Sequence, residues 1–177
     1  MTENKFLAGV TGRDDDFHLA VEALRASGQP FCLIDGLAVN HYAEPMVTLD
    51  ADFAVAAAPG LAAALRERGF EVREFAHSIN AVLSGSRLRL QITVNSRYTA
   101  FPERATESVI FGVRVPVASL PDLIQGKIWA MQDETRRASK RLKDRADITR
   151  LCETCPEAIA LVPPDLIPEV DELRKKS

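Results

Sequence analysis

From Thr48 to Phe53, in a strand that runs on to Val55, the chain alternates acidic or polar residues with apolar ones at a period of two. In a β-strand, side chains two apart share a face. Asp50 and Asp52 therefore point one way, and Leu49, Ala51, Phe53 and Val55 point the other. One face belongs in a core, while the other presents two neighbouring carboxylates. Such a pair repels itself and loses hydration when covered, so it calls for a cation or a basic partner. Mg²⁺ is typically held by one or two carboxylates, with waters and substrate phosphates completing its shell. Taken alone, the pair reads equally as two solvated acids on an exposed strand, and its surroundings have to decide.

Those surroundings alternate helix and strand. Asp14, Asp15 and Asp16 precede an apolar helical run from Phe17 to Leu24, which Ser27 and Gly28 close before Pro30. Acids in a first turn complement the helix dipole, which accounts for the triple Asp more cheaply than a calcium site does. Phe31 to Ile34 is a short buried strand, Asp35 and Gly36 break it, and Leu37 to Ala43 reads as a short helix. After the Asp-bearing strand, Pro59 and Gly60 lead into a helix from Leu61 to Arg68 that ends at Gly69. Phe70–Phe75, Ile79–Leu83 and Arg87–Val94 read as strands, the last two joined by a turn at Ser84, Gly85 and Ser86. Tyr98 to Arg104 reads as loop, and Val109 to Val117 as one or two strands.

From Ser119 onward the pattern is helical only. Ser119 and Asp122 form a capping box. Leu120, Leu123, Ile124, Ile128 and Met131 make an apolar stripe, and Lys127 falls inside it. A lysine there is either paired at a cleft or snorkelling at the stripe's edge. In the next helix, Ala138 to Cys155, helical spacing puts Asp144 and Asp147 on the side of Ile148 and Leu151. Arg136, Arg137, Lys140, Arg141, Lys143, Arg145 and Arg150 make this the most basic segment, mostly a solvated face, with a few groups able to steer phosphates. A last helix runs from Asp165 to Leu173, and Arg174 to Ser177 should fray. The order predicts an α/β (α+β) fold: a mixed sheet flanked by helices over residues 1–118, and a helical part over residues 119–177 packed on it, as two parts or as one single domain.

Composition narrows the function classes. Net charge is −3, so no global field draws in nucleic acid or lipid, and any such binding needs a local patch. Met1 to Val10 is too short and polar for a secretory signal, and no run is apolar enough to span a membrane. Three cysteines without disulfide-rich spacing fit a reducing cytoplasm. Cys152 and Cys155 close a helix instead of opening one, and lack the second pair a zinc site needs. Trp129 lies off the stripe of its helix, as a packing residue between helices and sheet or as part of a partner surface.

Three features occur in order: a strand running into Asp35 and Gly36, then Thr48 with Asp50 and Asp52, then Lys127 followed by Lys143, Asp144 and Asp147. This arrangement resembles nucleotidyltransferases of the polymerase-β type, and looks most like the minimal nucleotidyltransferases and the abortive-infection nucleotidyltransferase toxins. The resemblance covers Phe31 to Leu151. It implies a nucleotidyltransferase-like mixed sheet, Mg²⁺ on Asp50 and Asp52, and catalytic roles for Asp50, Asp52, Lys127 and Asp144. It further implies nucleotide contacts from Gly36, Thr48, Lys127, Lys143 and Asp147, with a nucleoside triphosphate as substrate.

The sequence departs from that pattern in three places. Asp35 stands where a glycine is usual, Met46 where an arginine is, and Gln91 where a third carboxylate is. An amide cannot act as general base, although Asp35 or Asp144 would serve if the fold brings either close. Two functions follow. One is Mg²⁺-dependent transfer of a nucleoside monophosphate to an RNA, protein, aminoglycoside or other small acceptor. The other is a catalytically degenerate module that binds nucleotide, RNA or a protein partner, as in a toxin with its cognate antitoxin. A plain structural role with solvated aspartates is the third possibility.

Overall fold

The structure, a computed structural model, describes residues 12–174. Helix α1 (Asp16–Ala26) leads into strand β1 (Phe31–Ile34), helix α2 (Asp35–Tyr42) and strand β2 (Asp50–Val55). Helix α3 (Leu61–Glu67) follows, then β3 (Phe70–Glu74), β4 (Ser78–Leu83) and β5 (Arg89–Thr93). A short helix α4 (Phe101–Arg104) precedes β6 (Thr106–Ile110) and β7 (Val113–Val117). Helices α5 (Leu120–Gln132), α6 (Ala138–Thr154) and α7 (Ile167–Arg174) complete the described chain.

The seven strands form one sheet in the order β3-β4-β5-β2-β1-β7-β6. It is mixed: β2 runs parallel to β5 and β1 parallel to β7, while the other neighbours are antiparallel. The apolar set of β2 behaves as its alternation predicts. Ala51, Phe53 and Val55 are all buried, and Phe17 of α1 stacks on Phe53 at 6.2 Å between ring centres. Helices α1 and α3 pack together on that side. On the other side, α2, α5 and α6 pack on one another near β1 and β2. Over β3, β4 and β5 that second side is open, so Glu71, Arg73, Arg89 and Gln91 are exposed.

Several boundaries differ from the sequence reading for identifiable reasons. Asp35 and Gly36 do not break the chain between strand and helix. Asp35 is already the first helical residue, in the left-handed region at φ 56°. The span from Tyr98 to Arg104 is not loop. It holds a 3₁₀ turn, Ser96–Tyr98, capped by the Asn95 side chain, and then α4, both too short for a period to be legible. Val109 to Val117 resolves into a hairpin that starts earlier, at Thr106. Its two-residue turn uses Phe111 and Gly112, both at positive φ. A phenylalanine in that place hides the turn, and the edge contact of Phe111 with Phe17 at 5.6 Å offsets the strain. The 3₁₀ segment Pro156–Leu161 was not foreseen, and α7 starts at Ile167, two residues later than expected. Most of the expected fraying tail, Lys175 to Ser177, lies outside the described residues.

Candidate active site

Asp50 and Asp52 project from β2 into a cleft of about 370 Å³ between the sheet and the C-terminal helices. Thr48, Asp35, Gln91, Asn80, Tyr98 and Lys127 also line it, and Arg136, Lys140 and Lys143 form its cationic side. Thr48 shapes the start of β2: its hydroxyl accepts a hydrogen bond from the Asp50 N–H at 3.2 Å. Gly36 sits against it, because a Cβ there would lie 3.4 Å from Thr48 Oγ1. Arg89 of β5, directly opposite Asp50 in register, donates from Nε to Asp50 Oδ1 at 2.7 Å. Lys140 Nζ approaches Asp50 Oδ2 from α6 at 4.0 Å.

Lys127 is a buried ion, 3% exposed, and the snorkelling alternative is excluded. Its ammonium donates to Asp35, to Asp144 Oδ1 at 3.1 Å, and lies 2.7 Å from Asp147 Oδ2. Asp144 and Asp147 are 1% and 2% exposed, as their place beside Ile148 and Leu151 predicts. Each has a second cation. Arg136 Nε reaches Asp144 Oδ2 at 2.8 Å, and Arg150 Nη1 reaches Asp147 Oδ1 at 2.8 Å. Lys143 Nζ lies 3.2 Å from Asp147 and 4.0 Å from Asp35. Oxygen atoms of Asp35, Asp144 and Asp147 fall within 4.8 Å of one another, a spacing that fits a metal. The lysine ammonium fills that centre, so the triad is a cradle for Lys127 and not a metal site.

The electrostatics separate the two acidic groups. Burial raises the Asp35 carboxyl, but Lys127, Lys143 and Arg136 outweigh that and hold its pKa below the ordinary value. Burial likewise works against the Lys127 ammonium, and Asp35, Asp147 and Asp144 more than reverse it, raising its pKa. Asp52 is the opposite case. Burial, then the charges of Asp35 and Asp50, push its pKa well above the ordinary carboxylate value, with Lys127 and Lys143 opposing. Negative charge thus crowds at Asp52, beside an Asp50 that Arg89 already pairs. Two hard oxygen donors side by side in a cleft are a fitting donor set for Mg²⁺.

Of the sequence-predicted site residues, Asp50, Asp52, Thr48, Lys127 and Lys143 line the cleft together, and Gly36 stands behind Thr48. Asp144 and Asp147 face inward around Lys127. Gln91 stands opposite Asp52 in register, with Asn80 beyond it on β4. Asn80, Tyr98 and Lys140 line the cleft without a sequence signal that marks them, and Arg89 joins the site through Asp50. Arg89 and Asn80 reach the site through strand pairing between distant segments, which no local pattern reveals. Trp129 packs against Tyr98 and Phe101, with the Arg97 guanidinium 5.7 Å from its ring centre.

Residues 38–176 match the model of the family described as nucleotidyl transferase AbiEii toxin, type IV TA system. The chain belongs to this family. Among solved structures it is similar to ANT(2")-Ia in complex with adenylyl-2"-tobramycin, at 15% identity and TM-score 0.56. That match covers 90% of this chain and 95% of the other. It is similar also to the lincosamide antibiotic adenylyltransferase LnuA, lincomycin-bound, at 11% identity and TM-score 0.52, covering 78% of this chain and 98% of that one. A nucleotidyltransferase-like protein from Paracoccidioides brasiliensis matches at 17% identity and TM-score 0.52, over 88% and 91%. At these identities the likeness establishes the fold. No curated protein sequence matches this AbiEii-family chain. Among its described residues no helix is long and apolar enough to cross a membrane.

Proposed function

We propose that this chain is a Mg²⁺-dependent nucleotidyltransferase that moves a nucleoside monophosphate from a nucleoside triphosphate to an acceptor. The observation that carries the reading is the carboxylate pair on β2, facing a cleft whose other side is cationic. Asp50 and Asp52 are the residues that would hold Mg²⁺, which would supply charge neutralisation for the triphosphate when bound. Lys140 and Lys143 bind the phosphates from α6, and Gly36, lacking a side chain, leaves Thr48 room to line the cleft beside them. Lys127 neutralises part of the charge of Asp35, Asp144 and Asp147, so that Arg136, Lys140 and Lys143 set the positive potential at the cleft wall. Asp144 and Asp147 position Lys127 and do not themselves touch the nucleotide. The acceptor oxygen bonds to the α-phosphorus, the bond to the bridging oxygen breaks, and pyrophosphate and a proton leave. On this reading the described residues of the 119–177 part are the cationic wall of the cleft, packed on the described residues of the 1–118 core.

A second reading, a nucleotide-binding member without catalysis, draws support from Gln91, the amide opposite Asp52. The family description supports a toxin role with an antitoxin counterpart, and a nucleoside triphosphate substrate supports a cytoplasmic site of action. The test is incubation of the chain with α-labelled and, separately, γ-labelled nucleoside triphosphates and cell extract. Transfer of α-label but not γ-label, lost in Asp50→Asn/Asp52→Asn, supports the enzyme. Nucleotide binding with no label transferred to any acceptor supports the second reading.

A further inference from the structure

The open half of the sheet carries a row of side chains that leads away from the carboxylate pair. Strand register places Asp52, Gln91, Asn80 and Arg73 opposite one another on β2, β5, β4 and β3. At about 4.8 Å between strands, Arg73 lies roughly 14 Å from Asp52 along this row. A second groove of about 370 Å³ runs over the same strands, lined by Arg73, Phe75, Asn80, Arg89 and Gln91 among others. Asn80 and Gln91 also line the carboxylate cleft, so the two spaces adjoin along these residues.

The groove has a chemical direction. Next to Asp52 stand two neutral amides, Gln91 and Asn80, and at the far end a guanidinium. Among the described residues Arg73 makes no ion pair. Phe75, beside it, is 57% exposed, a flat apolar ring open to water. Arg89 spends its Nε on Asp50, and Glu71, paired with Val82 across β3 and β4, is the one acid on the groove's lining. A polycationic acceptor would find no run of acids here. An anion finds Arg73, and a flat ring finds Phe75, the pairing of cation and aromatic face that suits a base with its phosphate.

We propose that this open sheet face is the acceptor groove, and that it takes a phosphate ester carrying a flat ring. Arg73 holds the anion, Phe75 takes the ring, and the amides of Asn80 and Gln91 guide the reacting end to Asp52. The proposal rests on the nucleotidyl-transfer reading of the cleft. An amide in place of a third carboxylate fits it, because a carboxylate at Gln91 would repel an anionic acceptor at the entrance to the site.

The test uses the full chain with Mg²⁺ and a non-hydrolysable ATP analogue. Three probes are titrated: cytidine 5′-monophosphate, a short single-stranded oligoribonucleotide with a free 3′ end, and kanamycin. The wild type is expected to bind one of the two phosphate esters, and Arg73→Glu to weaken it by at least about tenfold. Analogue binding should stay unchanged in that variant. Arg114→Glu, the same charge change on an exposed residue of β7, should leave both unchanged. Preference for the mononucleotide marks a small acceptor, and preference for the oligonucleotide marks a polynucleotide end. Binding of neither ester, equal binding by Arg73→Glu, equal loss in Arg114→Glu, or binding of kanamycin instead overturns the groove. Loss of analogue binding by the wild type would overturn the nucleotide reading itself.

Discussion

Asp52 of β2 and Gln91 of β5 stand opposite each other on parallel strands, side chains on the same face of the sheet. A neutral amide therefore sits beside a carboxylate already raised in pKa by its neighbours. Replacing it with Gln91→Glu adds a third carboxylate to the pair. Mg²⁺ affinity, measured calorimetrically, is expected to rise by about tenfold, or ~1.4 kcal/mol. Unchanged affinity would mean that position 91 lies outside the metal's reach.

Asp52 also links stability to pH. Its folded pKa is raised above the unfolded value of about 3.9, so the folded state binds the proton more tightly. Stability then falls as pH rises from the unfolded value through the folded one. Asp52→Asn removes this penalty. The variant is expected to melt higher than wild type at neutral pH and equally at pH values below the unfolded carboxylate range. A lower melting temperature at neutral pH would contradict the charge crowding described here.

Lys127 is the reverse case, a charge that the core depends on. Lys127→Met leaves Asp144 buried with Arg136, and Asp147 buried with Arg150 and Lys143. Removing one member of such a buried network typically costs about 3–5 kcal/mol, and urea unfolding should show it. A loss below about 1 kcal/mol would mean the remaining cations satisfy both acids.

Asp35 combines a left-handed backbone with a needed charge. Asp35→Asn keeps the backbone penalty and loses the charge, whereas Asp35→Gly loses both. The glycine variant is expected to be the more stable of the two by about 1 kcal/mol. Thermal melts decide it, and an asparagine variant equal to or above the glycine one would remove the strain argument.

How far the sequence revealed this molecule depended on the range of the pattern. The period-two alternation at Asp50 and Asp52 placed the pair on one face, and helical spacing put Asp144 and Asp147 beside Ile148 and Leu151. Both are local and both reappear in the structure. Lys127 was legible as an anomaly, a lysine within an apolar stripe, but its partner Asp35 comes from a segment 92 positions away. The row from Gln91 to Arg73 was not legible, because it exists only through the pairing of β2 with β5, β5 with β4 and β4 with β3. The turn at Phe111 was hidden by a residue type that seldom takes positive φ.

The central claim is that Asp50 and Asp52 grip a divalent ion carrying a triphosphate. Calorimetric titration of a non-hydrolysable nucleoside triphosphate analogue, with and without Mg²⁺, tests it most directly. Wild type is expected to bind the analogue in a Mg²⁺-dependent way, with the Mg²⁺-dependent part lost in Asp50→Asn/Asp52→Asn while the variant's far-UV spectrum stays native. Equal Mg²⁺-dependent binding by wild type and the double variant would contradict the account.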